Sequence, residues 1–192
     1  MYGLIHCAIR DMVVKEHGES SWNSILKSSD IGSDAFLSMR GYHDDITLTL
    51  IGSCANELNM DLESFLESFG FFWLTEFAPI DYKSLLNLAG HEPFEFLRNL
   101  DRLHERISTS FVNLHPPVFS TQFIDDNCIE LTYSSTRKGL TPFVTGILKG
   151  LPKMFDVALT IEKKHGVKTK FGEKSTYLIT KINQPVVTHD RK

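Results

Sequence analysis

Residues 118–135 read VFSTQFIDDNCIELTYSS, and this stretch decides the fold class. Val118–Ile124 and Ile129–Ser135 alternate in polarity around Asp125-Asp126-Asn127, which is the pattern of two strands joined by a turn. Upstream the period is different. Helical spacing dominates the first 111 residues, until Pro116-Pro117 prevents continuation. It predicts helices from Met1 to about His17, ended by Gly18; around Trp22–Leu26; and from an Asp44 or Asp45 cap to about Leu58. Asp61 caps the next, whose apolar face runs through Leu62, Phe65, Leu66 and Phe69 towards Phe77 until Pro79 ends it. A short helix follows from an Asp81 cap to Gly90, and a longer one from Glu92 to Phe111 with Pro93 in its first turn. Downstream come a helix from Thr141 to about Phe155 and a second strand pair, Val157–Glu162 and Thr176–Ile182, around a polar loop containing Gly166 and Gly172. Helices first, then hairpin, helix and hairpin, describe an α+β protein with an antiparallel sheet.

The chain has 192 residues, the size of one domain with a sizeable core. Hydrophobic residues make up 42% and charged residues 23%, which excludes disorder and fibrous repeats. No apolar run approaches a membrane span, and the N-terminus lacks the layout of a signal peptide. The three cysteines, Cys7, Cys54 and Cys128, are widely spaced in apolar surroundings, so buried thiols in a reducing compartment are expected. That makes a cytoplasmic protein the expectation, with no membrane partner. The net charge of −4 argues against nucleic acid. From Lys149 to Lys192 ten Lys/Arg stand against four Asp/Glu; this is either a lysine-rich solvent face or a docking surface for an acidic partner.

Phosphate loops, dinucleotide loops, H-E-x-x-H, C-x-x-C and G-x-S-x-G are all absent. Of the eight histidines, His6, His17, His43, His91, His115, His165 and His189 have no partner at metal-ligand spacing and read as surface, loop or capping residues. His104 is different. Leu97, Leu100, His104, Ile107 and Phe111 fall within about 80° of helical arc, so the imidazole lies in an apolar stripe. There its nitrogens need partners. A core hydrogen bond is the plain answer. A metal in an apolar cavity is the sharper one, and a single imidazole suits haem iron better than zinc.

Tyr133, Ser135 and Arg137 alternate at the end of the second strand and would share one face. Two hydroxyls and a guanidinium together form a receptor for carboxylates. Haem offers an apolar macrocycle and two propionates. Alone, Tyr-Ser-Ser-Thr-Arg is ordinary polar sequence at a strand end; beside His104 it gains a purpose.

Tyr133-x-Ser135-x-Arg137 resembles the Y-x-S-x-R propionate motif of the H-NOX family, the haem nitric oxide/oxygen binding domains. Asn99-Leu100-Asp101-Arg102-Leu103-His104 resembles the stretch with the proximal histidine in the branch nearest soluble guanylate cyclase. Met1-Tyr2-Gly3-Leu4, Gly70-Phe71-Phe72-Trp73, Pro116-Pro117, Gly139-Leu140 and Gly146-Ile147-Leu148 fall in family order, so the resemblance covers about Met1 to Ile182. It implies a single haem-binding domain over 1–182, with a helical subregion of about 1–60, a haem-holding subregion of about 61–182 and a tail over 183–192. The haem would be a non-covalent haem b buried between the two parts. His104 would be the proximal iron ligand. Tyr133, Ser135 and Arg137 would hold the propionates, Pro117 would press on the porphyrin, and Trp73, Phe143, Ile5 and Ile9 would line the distal side.

Oxygen-binding members carry a distal tyrosine whose hydroxyl stabilises polarised dioxygen. That position is Phe143 here, which has no donor, so the resemblance implies selectivity for NO and CO; Trp73 is the one nearby residue whose N–H can donate. It further implies a ligation switch at His104 that signals to a separate histidine kinase or cyclic-di-GMP enzyme, and no catalytic assembly in this chain. Some members hold zinc in the last hairpin; the loop His165-Gly166-Val167-Lys168-Thr169-Lys170 has no cysteine, and no zinc is expected. The rival readings are an oxygen or redox sensor on the same scaffold, and a haem-free module that binds an apolar carboxylate through Arg137.

Overall fold

The computed structural model describes residues 1–32, 36–110 and 115–182. Phe111 and the 183–192 tail lie outside the described residues. Helix α1 (Gly3–Ser29) turns at Gly18, whose φ of 83° no helix accommodates, so two helical pieces run end to end. Asp44 and Asp45 supply negative charge to the first turn of α2 (Asp44–Glu57), where it complements the helix dipole, while His43 occupies the cap position. Asp61 does cap α3 (Leu62–Phe72), its carboxylate accepting from Ser64 N at 2.9 Å. Leu62 itself is exposed; Phe65, Leu66 and Phe69 form the buried face.

Pro79 does not end this run. The helix widens into a π turn, Trp73–Phe77, in which Ala78 N–H reaches back five residues to Trp73 O, and then continues as α4 (Ala78–Asp81). Pro79 lacks an N–H, and the wider turn lets the chain carry it without a strained α-helical bond. Helix α5 (Lys83–Ala89) starts from Tyr82, not from an Asp81 cap, and stops at Gly90. The predicted Glu92–Phe111 helix is two helices. Helix α6 (Pro93–Arg98) closes at Asn99, whose side-chain amide donates to Ala89 O at 2.8 Å, and α7 (Leu100–Ser110) begins anew. Asparagine readily satisfies backbone groups outside its own helix, which explains the break.

Strands β1 (Val118–Asp125) and β2 (Cys128–Ser135) form the expected hairpin. Helix α8 (Thr141–Phe155) begins with Pro142 in its first turn and ends at left-handed Asp156. The second hairpin is longer than its alternation suggested. Strands β3 (Leu159–Thr169) and β4 (Gly172–Lys181) pair almost to the turn, with a bulge between Lys163 and His165. The predicted polar loop is therefore strand. Both faces of β3 are solvated from Glu162 onward, so no hydrophobic alternation marks it. The antiparallel sheet has the order β1-β2-β4-β3.

Two cores form. One joins α1, α2 and α3 through Ile9, Met12, Leu50, Phe65 and Phe69. The other packs α6, α7 and α8 on the sheet through Leu97, Leu100, Leu131, Tyr133, Leu148 and Tyr177. Each fully buried large side chain contributes roughly 1.5–3 kcal/mol. Helices α3 and α8 touch backbone to backbone. A Cβ on Gly70 would overlap the Phe143 carbonyl, and one on Gly146 would overlap the Glu67 carbonyl.

Candidate functional site

Helix α7 presents His104 half-buried. Its Nδ1 lies 2.8 Å from Leu100 O. A carbonyl only accepts, so Nδ1 carries the proton and the lone pair resides on Nε2. Burial lowers the imidazole pKa, outweighing the Leu100 carbonyl and the Asp101 charge, so the ring is held neutral. A neutral, oriented imidazole with a free ring nitrogen is what a metal ligand requires. The ring stacks on Phe119 at 5.5 Å, and Phe119 in turn contacts Tyr133 at 5.6 Å. Asp101, one turn before His104, accepts from Phe119 N at 2.7 Å and ties α7 to β1. Pro117 is half-buried immediately before β1.

Tyr133 is buried, and burial pushes its phenol up to about 12, with Ser135 and Glu173 as hydrogen-bonding neighbours. The hydroxyl is therefore a donor at any ordinary pH. Strand β2 stops at Ser135, so Arg137 does not continue the strand alternation. Instead Ser135 Oγ accepts from Arg137 N at 3.0 Å, and this tight turn redirects the guanidinium. Arg137 Nε donates to Asp44 Oδ2 at 2.7 Å, and Nη1 donates to His115 O at 2.6 Å. The Met1 amino group donates to the other Asp44 oxygen at 2.7 Å. Burial would raise the Asp44 carboxyl, but the hydrogen bonds and charges of Arg137 and Met1 outweigh it and hold it below the usual range. A cleft of about 490 Å³ opens here, lined by Met1, Asp44, Leu48, His115, Thr136, Arg137, Lys138 and Leu140.

The aromatic side chains expected opposite His104 form one cluster. Phe143 lies 5.0 Å from Phe69 and 6.4 Å from Trp73, and Trp73 stacks on Phe77 at 5.1 Å. Trp73 packs against both cores, including the one that contains Leu100, Leu103 and Tyr133. Ile5, Ile9 and Phe143 belong to the other. Trp73 thus stands where the two cores meet, His104, Phe119 and Tyr133 form one chain of ring contacts, and Arg137 lines the separate cleft beside Asp44. This donor set fits a haem: one imidazole nitrogen free, apolar walls, and a hydroxyl–guanidinium edge.

Three residues escaped the sequence reading. Asp44, read as a cap, is the partner of Arg137. Glu173 is buried and accepts from Gly139 N and Leu140 N at 2.8 and 2.9 Å, fixing the loop that follows Arg137. A glutamate between Gly172 and Lys174 carries no local signal of such burial. His6, expected on the surface or in a loop, is fully buried with Nε2 2.7 Å from Thr47 Oγ1, and joins α1 to α2. Its place beside apolar Ile5, Ala8 and Ile9 was the available clue.

Among known proteins, the family described as Haem-NO-binding matches residues 2–163, most of the chain. The chain is 29% identical over 197 aligned positions to soluble guanylate cyclase gcy-32 of Caenorhabditis elegans, covering 96% of this chain and 29% of that protein. It is 27% identical to gcy-35 of the same organism, covering 95% of this chain and 28% of the relative. The chain therefore spans less than a third of these relatives' length. Solved H-NOX structures share the fold: one from S. oneidensis has a TM-score of 0.84 at 23% identity, covering 97% of this chain and 98% of that one. An H-NOX protein from K. algicida, solved in the unliganded Fe(II) state, has a TM-score of 0.80 at 19% identity, covering 95% of this chain and 97% of that one. Domains of this family bind haem and sense gases, and are themselves sensory, not catalytic. The chain belongs to the haem-NO-binding, or H-NOX, domain family.

Proposed function

We propose that this domain is a nitric oxide sensor that holds haem b, with His104 as the axial ligand of ferrous iron. The observation that carries the reading is the bond from His104 Nδ1 to Leu100 O, which leaves Nε2 unprotonated on an apolar helix face. When bound, ferrous haem would supply an iron able to take up diatomic gases. All else falls to the protein.

Tyr133 and Ser135 supply hydroxyls and Arg137 a guanidinium for the two propionates, and Pro117 bears on the macrocycle. Trp73, Phe143, Ile5 and Ile9 form the opposite wall. Phe143 has no hydrogen-bond donor. Dioxygen held there would gain from one, whereas NO and CO would not need it. The lack of a donor at position 143 favours NO and CO over dioxygen.

His104 also acts as a tether. It sits mid-helix on α7, whose first turn is tied to β1 through Asp101 and Phe119. Release of His104 would free α7 from its axial anchor and let the α1–α3 core shift against the sheet core, a two-state change biased by the ligand. We place the domain in the cytoplasm, signalling to a separate histidine kinase or cyclic-di-GMP enzyme.

The test is His104→Gly. The purified variant should lose the haem band, and free imidazole during haem loading should restore it. A variant that keeps a wild-type haem spectrum without imidazole would overturn the assignment of His104.

A further inference from the structure

The β3–β4 hairpin has features that gas sensing does not use. Its turn places Phe171 at the apex, 83% exposed, the most exposed large apolar side chain among the described residues. Lys168 and Lys170 precede it and Lys174 follows it, all exposed and without an ion pair among the described residues; Lys168, opposite Glu173, and Lys174, opposite Val167, lie on the two faces of the hairpin. Val167, 55% exposed, lies opposite Lys174 on one face. The apex is firmly mounted. A Cβ on Gly172 would overlap the Ser135 carbonyl, so only glycine lets the returning strand press against the end of β2.

We infer that this apex docks on an anionic lipid surface, with Phe171 entering the headgroup–acyl boundary and the three lysines contacting lipid phosphates and carboxylates. No helix among the described residues is long and apolar enough to cross a bilayer. This has no bearing on lying against one, which needs only a basic patch and an apolar anchor. Charge complementarity selects the occupant. Three exposed lysines within seven residues of a chain with net charge −4 complement a negative leaflet. Shape selects against a protein partner, because protein interfaces have broad apolar cores depleted in lysine, and here one ring stands alone among lysines. Phe171, Lys168, Lys170 and Lys174 have no part in the haem reading.

The test is co-sedimentation of the full chain with vesicles of phosphatidylcholine–phosphatidylserine and of phosphatidylcholine alone. Binding should occur only to the anionic vesicles and should weaken with added salt. Each of K168A, K170A and K174A should lower partitioning about fivefold. F171A should lower it about tenfold without changing the salt dependence. Far-ultraviolet circular dichroism of each variant should match wild type, since all four side chains are exposed. Absence of binding to anionic vesicles would overturn the proposal. So would binding unaffected in the triple lysine variant, or a hairpin that captures polyglutamate or single-stranded DNA while ignoring vesicles.

Discussion

Arg137 and Asp44 are 93 residues apart, yet Arg137 Nε donates to Asp44 Oδ2 at 2.7 Å. The pair spans from the end of β2 to the first turn of α2, and the Met1 amine completes it on the other carboxylate oxygen. A guanidinium held from behind in this way is oriented before any carboxylate ligand arrives.

Asp44→Asn should therefore leave the fold nearly intact and loosen Arg137. Both side chains are partly solvated, so the stability loss should stay within about 0–1 kcal/mol, as for exposed pairs. The Asp44 carboxyl is held below its ordinary value, so its stabilisation is fully present above that value. It is lost as pH falls through the lower, folded value. Urea titrations across the acid range should show wild type losing an increment that Asp44→Asn lacks; identical acid profiles would contradict the pairing.

His104 makes the opposite kind of contribution from most paired histidines. Burial lowers its pKa, so the folded haem-free protein resists protonation there. As pH falls below the ordinary histidine value of about 6.5, the unfolded chain takes up the proton first and folding weakens. Thermal melts of the haem-free protein should show His104→Gln removing part of this dependence. An unchanged dependence would mean another group is responsible.

Much of this was legible in the sequence. The switch from helical to alternating period at Pro116-Pro117 located the sheet, and His104, Tyr133, Ser135 and Arg137 are the residues on which the proposed site rests. What escaped notice depends on contacts far apart in the chain. Nothing near Asp44 announces a partner 93 residues away. Nothing near Pro79 announces that a π turn will absorb it, and β3 hides because its outer half buries neither face. Asn99 broke a helix that periodicity alone would run through, because its side chain bonds to Ala89 O in the preceding helix.

The crossing of α3 and α8 admits no side chain at its closest points. Gly70→Ala or Gly146→Ala would drive a methyl into a backbone carbonyl of the facing helix, an overpacking that costs roughly 1–3 kcal/mol. Chemical denaturation should read this directly. A substitution with no stability cost would mean the helices do not meet as described.

Phe143→Tyr tests the selectivity argument. The ring lies within the Phe69–Trp73 cluster, and the new hydroxyl would place a donor at position 143. The haem-loaded variant should form a longer-lived ferrous-oxy species than wild type, while CO binding changes little. Equal oxy lifetimes would mean position 143 does not face the ligand.

The most direct measurement is the visible absorption spectrum of the anaerobically reduced, haem-loaded protein, recorded before and after NO and beside an air-exposed aliquot. The account predicts a five-coordinate ferrous haem whose spectrum shifts with NO and which forms no stable oxy complex. A persistent oxy spectrum in air would contradict it, and would assign the donor role to a residue such as Trp73.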